Sequence, residues 1–264
     1  MVYECERPSR RERRRGKSDA LDAAAAARKL LAGEGLARLR GFGAREQLRV
    51  LLLERRSAQS ARTAALNQLH ALVITAPEPL RARLERLRGA ALARRAAGLR
   101  STEPCVPALR RLGRRVLVLA EELAAVDQEL ERRLSALAPA LLAECGVGPV
   151  CAAQLLVSSG ESTRMRSEAS FAALAGTSPV AASSGRRQRH RLNRGGDRQL
   201  NCALHLIALN RKRAHEATRA YYERLLADGK SKREGLRCLK RMLARYFYRR
   251  LREIETAQVA GATP

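Results

Sequence analysis

The sequence predicts a mainly α-helical protein, and two observations carry that expectation. Apolar residues recur at steps of three and four over long stretches between proline and glycine breaks. Against this, one short segment, VYECE at residues 2–6, reads as a strand, and a single strand cannot make a sheet. The helices must therefore supply the core.

Taken in order, VYECE is followed by Pro8 and a basic connector, Arg10 to Lys17. Ser18 is a suitable N-cap, with Asp19 and Asp22 in the first turn of an alanine-rich helix that should run to about Leu31. Gly33, Gly35, Gly41 and Gly43 then mark a loose linker. A second helix is expected from Ala44 to about Val73, stopped by Pro77-Glu78-Pro79, and a third from about Leu80 to Leu99.

The most regular segment follows. Leu109, Leu112, Val116, Leu119, Leu123, Val126 and Leu130 alternate steps of three and four, the seam of a coiled coil, and Leu134, Leu137 and Leu141 extend it after a stutter. We expect an arm whose seam meets another helix, either its own predecessor or one from a second subunit. Next, ECGVGPVCAAQLL fits a helix-hairpin-helix pattern, in which Gly146 and Gly148 permit a tight turn and the next helix offers N–H groups to a phosphate. An ordinary glycine-proline connection fits the same residues. A short helix at Phe171 to Leu174 ends by Gly176 and Pro179, and three helices are expected at Asp197–Lys212, Ala214–Leu226 and Ser231 to about Glu255. The last carries Lys232, Arg233, Arg237, Lys240, Arg241 and Arg245 around an apolar face.

Charge points to the partner. Fifty-two Lys and Arg against 26 Asp and Glu leave a formal charge of +26 on 264 residues, and the phosphate backbone of a nucleic acid is the natural counter-charge. Aromatic content is 3% with no tryptophan, so backbone contacts rather than base stacking should dominate. The six cysteines form no C-x-x-C pair, which argues against zinc and for reduced thiols. No apolar run approaches a membrane span and no signal-peptide core follows Met1, so a cytoplasmic, nucleoid-associated protein is expected.

The segment from Ala182 to Leu200 concentrates the candidate chemistry. Ser184 precedes Gly185 and a run of Arg186, Arg187, Arg189, Arg191, Arg194 and Arg198 with one Asp. A hydroxyl beside fixed guanidinium groups suits attack on a phosphodiester, since the cations bind phosphate oxygens and stabilise the charge that builds up in the transition state. The same residues also suit a Ser-Gly turn on a phosphate-binding face. Together with Gly146, Gly148, Lys232, Arg233, Lys240 and Arg241, these arginines are the candidate nucleic-acid contacts.

Several motifs then agree in order and spacing. GKSDALDAAAAARKL at residues 16–30, NQLHALVITAPEPLRARL, GVGPVCAAQLL, AGTSPVAASSG, RLNRGGDRQLNCALH and GKSKREGLRCLKRMLARYFYRRL together resemble the DEDD insertion-sequence transposases of the one-ten, one-sixteen and nine-oh-two group. The resemblance implies a resolvase-like RNase-H-fold domain, of which residues 1–43 would be the C-terminal remnant. A helical coiled-coil linker would occupy 44–140, a serine-bearing domain 141–255 and a disordered tail 256–264. It implies a recombinase in which Ser184 attacks DNA to form a phosphoserine, guided by a structured RNA, with Mg²⁺ held by acids that include Asp19 and Asp22, and assembled as dimers that pair into tetramers. The family's first Asp and its Glu should lie upstream of Asp19, so the magnesium site is incomplete and the chain reads as a truncated copy. The alternative is a remnant that binds DNA or RNA without cutting it.

Overall fold

The computed structural model describes residues 3–5, 19–33, 36–38, 43–160, 167–181, 190–191 and 193–260. The described chain is mainly α-helical and divides into two compact units, residues 1–46 and 47–264.

In the first unit, strand β1 (Tyr3–Cys5) leads to helix α1 (Asp19–Ala32) and strand β2 (Leu36–Arg38). The two strands pair antiparallel, with Tyr3 opposite Arg38 and Cys5 opposite Leu36. This corrects two expectations: VYECE is not left as an unpaired strand, and the glycine-marked linker contains its partner. Leu36-Ala37-Arg38 is too short to show a period, so pairing across 33 residues of chain was invisible to a local reading. Asp19 and Asp22 occupy the first turn of α1, which buries none of its residues.

The second unit is built on two long helices, α2 (Ala44–Ile74) and α5 (Val106–Leu137). They run antiparallel: Arg55 Nε donates to Asp127 Oδ1 at 2.6 Å, and Arg133 donates to Gln47. Most of the predicted seam is buried: Leu109, Val116, Leu123, Val126 and Leu130 lie inside, Leu112 and Leu119 are half-buried, and apolar residues of α2 and of the segment between the two long helices cover it.

Between them the expected third helix is two, α3 (Glu78–Leu84) and α4 (Gly89–Ala97), broken where Arg88 is extended and Gly89 takes φ +54. Leu80, Leu84, Leu92, Ala93 and Ala96 close a small core over one end of the hairpin. At the other end α5 stops at Leu137, because Pro139 cannot continue the helix and instead opens the single turn α6 (Pro139–Leu142). Leu134 and Leu141 are both buried but on different helices, so the extended seam is not one continuous heptad pattern.

Helix α7 (Pro149–Ser159) crosses the middle of the larger core and buries Cys151 to Leu156 as an unbroken run. Burial pushes the Cys151 thiol up to about 11. Around α7 pack α8 (Glu168–Leu174), α9 (Arg198–Ala214), α10 (Glu216–Ala227) and α11 (Lys232–Ala260). Each boundary has a physical cause. Ser167 accepts from Ser170 N, Asp197 Oδ1 accepts from Gln199 N and Leu200 N, and Ser231 exchanges bonds with Glu234 in a capping box. Contrary to the expected disordered tail from residue 256, α11 continues through Ala260. Two short strands, β3 (Val180–Ala181) and β4 (His190–Arg191), pair antiparallel ahead of α9.

Candidate functional site

The site is the cleft at the foot of the β3–β4 pair. It has a volume of about 490 Å³ and is lined by Gly176, Asn193, Arg194, Gly196, Arg198, Asn201, Cys202, His205 and Lys240. Its floor is two turns pressed together. A Cβ at Gly196 would stand 2.6 Å from both Gly176 Cα and Leu174 O, closer than any side chain tolerates, so only glycine permits the contact. Asp197 N donates to Leu174 O at 2.6 Å and Gly195 N to Asn193 Oδ1 at 2.9 Å, which fixes the NRGGD turn against the end of α8.

Asp197 then ties the turn to the core. While Oδ1 caps α9, Oδ2 accepts from Ser158 Oγ at 2.6 Å, and that hydroxyl in turn accepts from Gln154 Nε2 at 2.8 Å. The carboxylate is thus engaged on both oxygens and offsets the positive end of the α9 dipole.

The cleft's own charge comes from α11. Lys240 is 9% exposed, and its Nζ donates to Asn201 Oδ1 at 2.8 Å, while Asn201 Nδ2 donates to Ala175 O at 2.6 Å. An ammonium has three donors, and no carboxylate reaches Lys240 among the described residues. Burial, then the Arg237 charge, hold its pKa below the usual lysine range. One turn along α9 from Asn201, His205 is held below the usual histidine value by burial and then by Lys240. Arg194 and Arg198 stand exposed at the rim. A nearly buried cation with no counter-ion among the described residues, beside exposed guanidinium groups, makes a receptor for an anion the size of a phosphate.

The predicted residues divide clearly. Arg194, Arg198 and Lys240 come together in this cleft, and Arg191 is exposed on β4. Ser184, Arg186, Arg187 and Arg189 belong to the connection 182–189 between β3 and β4 and lie outside the described residues. Arg241 lines a different groove, with Tyr221, Cys238 and Arg245, and Lys232 and Arg233 are exposed at the start of α11. Gly146 has φ +78, and a Cβ there would meet Arg211 Cγ at 3.0 Å and Asn210 Cβ at 3.1 Å. Its turn and its packing on α9 account for the glycine. Gly148 caps α7 in open space, and the helix before the turn is only four residues long.

The sequence reading missed Asn201 and His205, although four-residue spacing from Asp197 puts all three on one face. Cys202, next along α9 from Asn201, also lines the cleft, where Lys240 supplies the charge from another helix.

Asp19 and Asp22 sit three apart in the first turn of α1. Among the described residues no group of three or more His, Cys, Asp or Glu gathers to hold a metal ion. Two carboxylates alone do not fit magnesium, which needs near-octahedral oxygen coordination. The five described cysteines are unpaired thiols. No helix among the described residues is long and apolar enough to cross a membrane.

Fold and cleft define a helical protein with a cationic pocket at the root of a basic connection. Residues 138–223, which contain α7, the β3–β4 pair, α9 and most of the cleft, match the family model of the transposases of the IS116/IS110/IS902 family. The chain is also 36% identical over 145 residues to an uncharacterized 43.6 kDa protein of insertion element IS110 from Streptomyces coelicolor. That alignment takes in 51% of this chain and spans 36% of the relative's length.

Proposed function

We propose that the chain acts on DNA as a transposase, with Ser184 as the nucleophile. The observation that carries this reading is the cationic cleft lined by Arg194, Arg198 and Lys240, most of which lies inside the segment that matches a transposase family, as Ser184 does in sequence. In the proposed step, Ser184 Oγ forms a bond to phosphorus as the bond from phosphorus to one deoxyribose oxygen breaks. The serine proton passes to a base, and the departing sugar oxygen takes up a proton. The phosphoserine keeps the energy of the broken linkage, so attack by a new sugar hydroxyl rejoins a strand and frees the serine without any co-reactant. Lys240, Arg194 and Arg198 hold phosphate oxygens while charge builds on them.

The choice of site falls to a structured RNA in this reading, with the protein contacting shape and backbone, as the absence of tryptophan and the scarcity of other aromatic residues favour. Self-association into dimers belongs to the same reading. Magnesium at Asp19 and Asp22 would need further oxygen ligands, and no step is derived through it.

Covalent trapping tests the proposal. The purified chain, with any co-purifying RNA recovered and sequenced, is mixed with duplex DNA matching that RNA and Mg²⁺, then run on a denaturing gel. An adduct should form and should vanish in Ser184→Ala, while that variant's DNA affinity stays within about twofold of the parent, since a small hydroxyl contributes little beside the cations. A large loss of affinity in Ser184→Ala would make the connection a binding element. No adduct, with DNA or RNA still bound, would leave a binding protein without strand chemistry.

A further inference from the structure

The N-terminal third of α5 and the helices that pack on it carry positive charge that is mostly unanswered among the described residues. Residues 78–118 contain eleven arginines, no lysine and three glutamates, a formal charge of +8, whereas residues 119–137 carry two arginines against five acids. Among the described residues, the one ion pair within 78–118 joins Arg81 to Glu78 on α3. Arg132 and Arg133 meet Glu129 at 2.7 and 2.6 Å, and hold its carboxyl down to about 2.

By contrast Arg110, Arg111, Arg114 and Arg115 are all exposed, and no ion pair reaches them among the described residues. They form two rows, Arg110 with Arg114 and Arg111 with Arg115, each four residues apart and so adjacent on the helix surface, where like charges repel. The positions four residues further out, where an acid would relieve that repulsion, hold Val106, Pro107, Val118 and Leu119. Helix α4, packed on this stretch through Ala93 and Ala96, adds Arg94 and Arg95, also exposed.

We propose that this end of the α2–α5 hairpin is a second nucleic-acid surface, which holds the phosphate backbone of duplex DNA outside the strands bound at the Lys240 cleft. The inference rests on the reading of the chain as acting on DNA. Guanidinium groups in rows match phosphate oxygens bidentately, and a polyanion removes the repulsion that the fold leaves standing. Residues 78–118 contain no Phe, Tyr, Trp or His, so there is no ring on which an unpaired base could stack, and a duplex is the better fit. At about 1.5 Å per residue, the four arginines stand about 35 Å along α5 from Leu137. That is roughly ten base pairs of DNA.

The test uses the full chain and a duplex of about forty base pairs. Two double variants, Arg110→Gln with Arg114→Gln and Arg111→Gln with Arg115→Gln, are compared with a control that removes the same charge elsewhere, Arg213→Gln with Arg219→Gln. Each arm variant should lower duplex affinity about tenfold and reduce the slope of log affinity against log salt by about two, with the control much nearer the parent. Helical circular dichroism should match in all of them, because the substituted side chains are exposed. Single-stranded DNA should show no difference between arm and control variants. Arm variants that match the control, an equal loss on single strands, or a larger loss on duplex RNA than on duplex DNA would each overturn the proposal. If the parent still forms its Ser184 adduct in that case, only the arm surface has failed. If the parent binds no duplex DNA even at low salt, the DNA reading has failed and the surface with it.

Discussion

At Lys240 the folded chain holds an ammonium in a place that resists charge. Burial and Arg237 lower its pKa, so between that value and the ordinary 10.5 the unfolded chain binds more protons, and stability rises with pH across that window. A bound phosphate reverses the balance by favouring the charged form. Lys240→Met should therefore weaken DNA binding about tenfold, the loss of one charge-assisted contact, without lowering thermal stability. His205 reports the same environment. Its lowered pKa means that stability present above pH 6.5 is lost as pH falls through 6.5 towards the folded value. In a proton NMR titration its midpoint should lie below 6.5 and move part of the way back in Lys240→Met, because burial remains while the neighbouring charge has gone. An unmoved midpoint would mean that Lys240 does not act on His205.

At the scale of elements, Glu144 joins the α6–α7 turn to two helices. Its carboxylate, 9% exposed, accepts from Arg211 Nη2 at 3.0 Å, Arg250 Nε at 2.8 Å and the Tyr246 hydroxyl at 2.7 Å. Arg211, itself 7% exposed, also lies over the Tyr246 and Phe247 rings. Burial and then the bond to Glu144 raise the Tyr246 pKa. Glu144→Gln would leave the Arg211 charge buried without its partner, so urea unfolding should show a loss of about 3 kcal/mol. A loss below about 1 kcal/mol would mean that solvent reaches the cluster and screens it. The turn glycines that suggested a phosphate-binding hairpin meet this packing demand at Gly146. The local pattern did not distinguish the two uses, because both require the same left-handed backbone.

Across the whole molecule, the seam read from Leu109 to Leu130 was legible because burial on a helix imposes its period whatever the partner. The identity of that partner was not legible, since a period says which face is covered and not by what. Arg55 and Asp127, 72 residues apart, now supply a test. A double-mutant cycle of Arg55→Ala and Asp127→Ala should give a coupling of about 0.5–1 kcal/mol, modest because the pair is 26% and 41% exposed. Zero coupling would mean that solvent screens the pair fully.

By itself the sequence determined the helical class, most helix boundaries and the basic character of the chain, because caps, prolines, heptad steps and net charge act locally or by simple summation. It also placed Ser184, Arg194, Arg198 and Lys240 among the residues of interest. Only the tertiary structure decided that Lys240 reaches Asn201, 39 residues away, and His205 from another helix, that Gly196 is pressed onto Gly176, and that α2 and α4 cover the seam of α5. It also separated the arginines that have acids from those that do not. The physical reason is common to all four: burial and pairing between distant segments depend on where the chain returns in space, and no local period encodes that return.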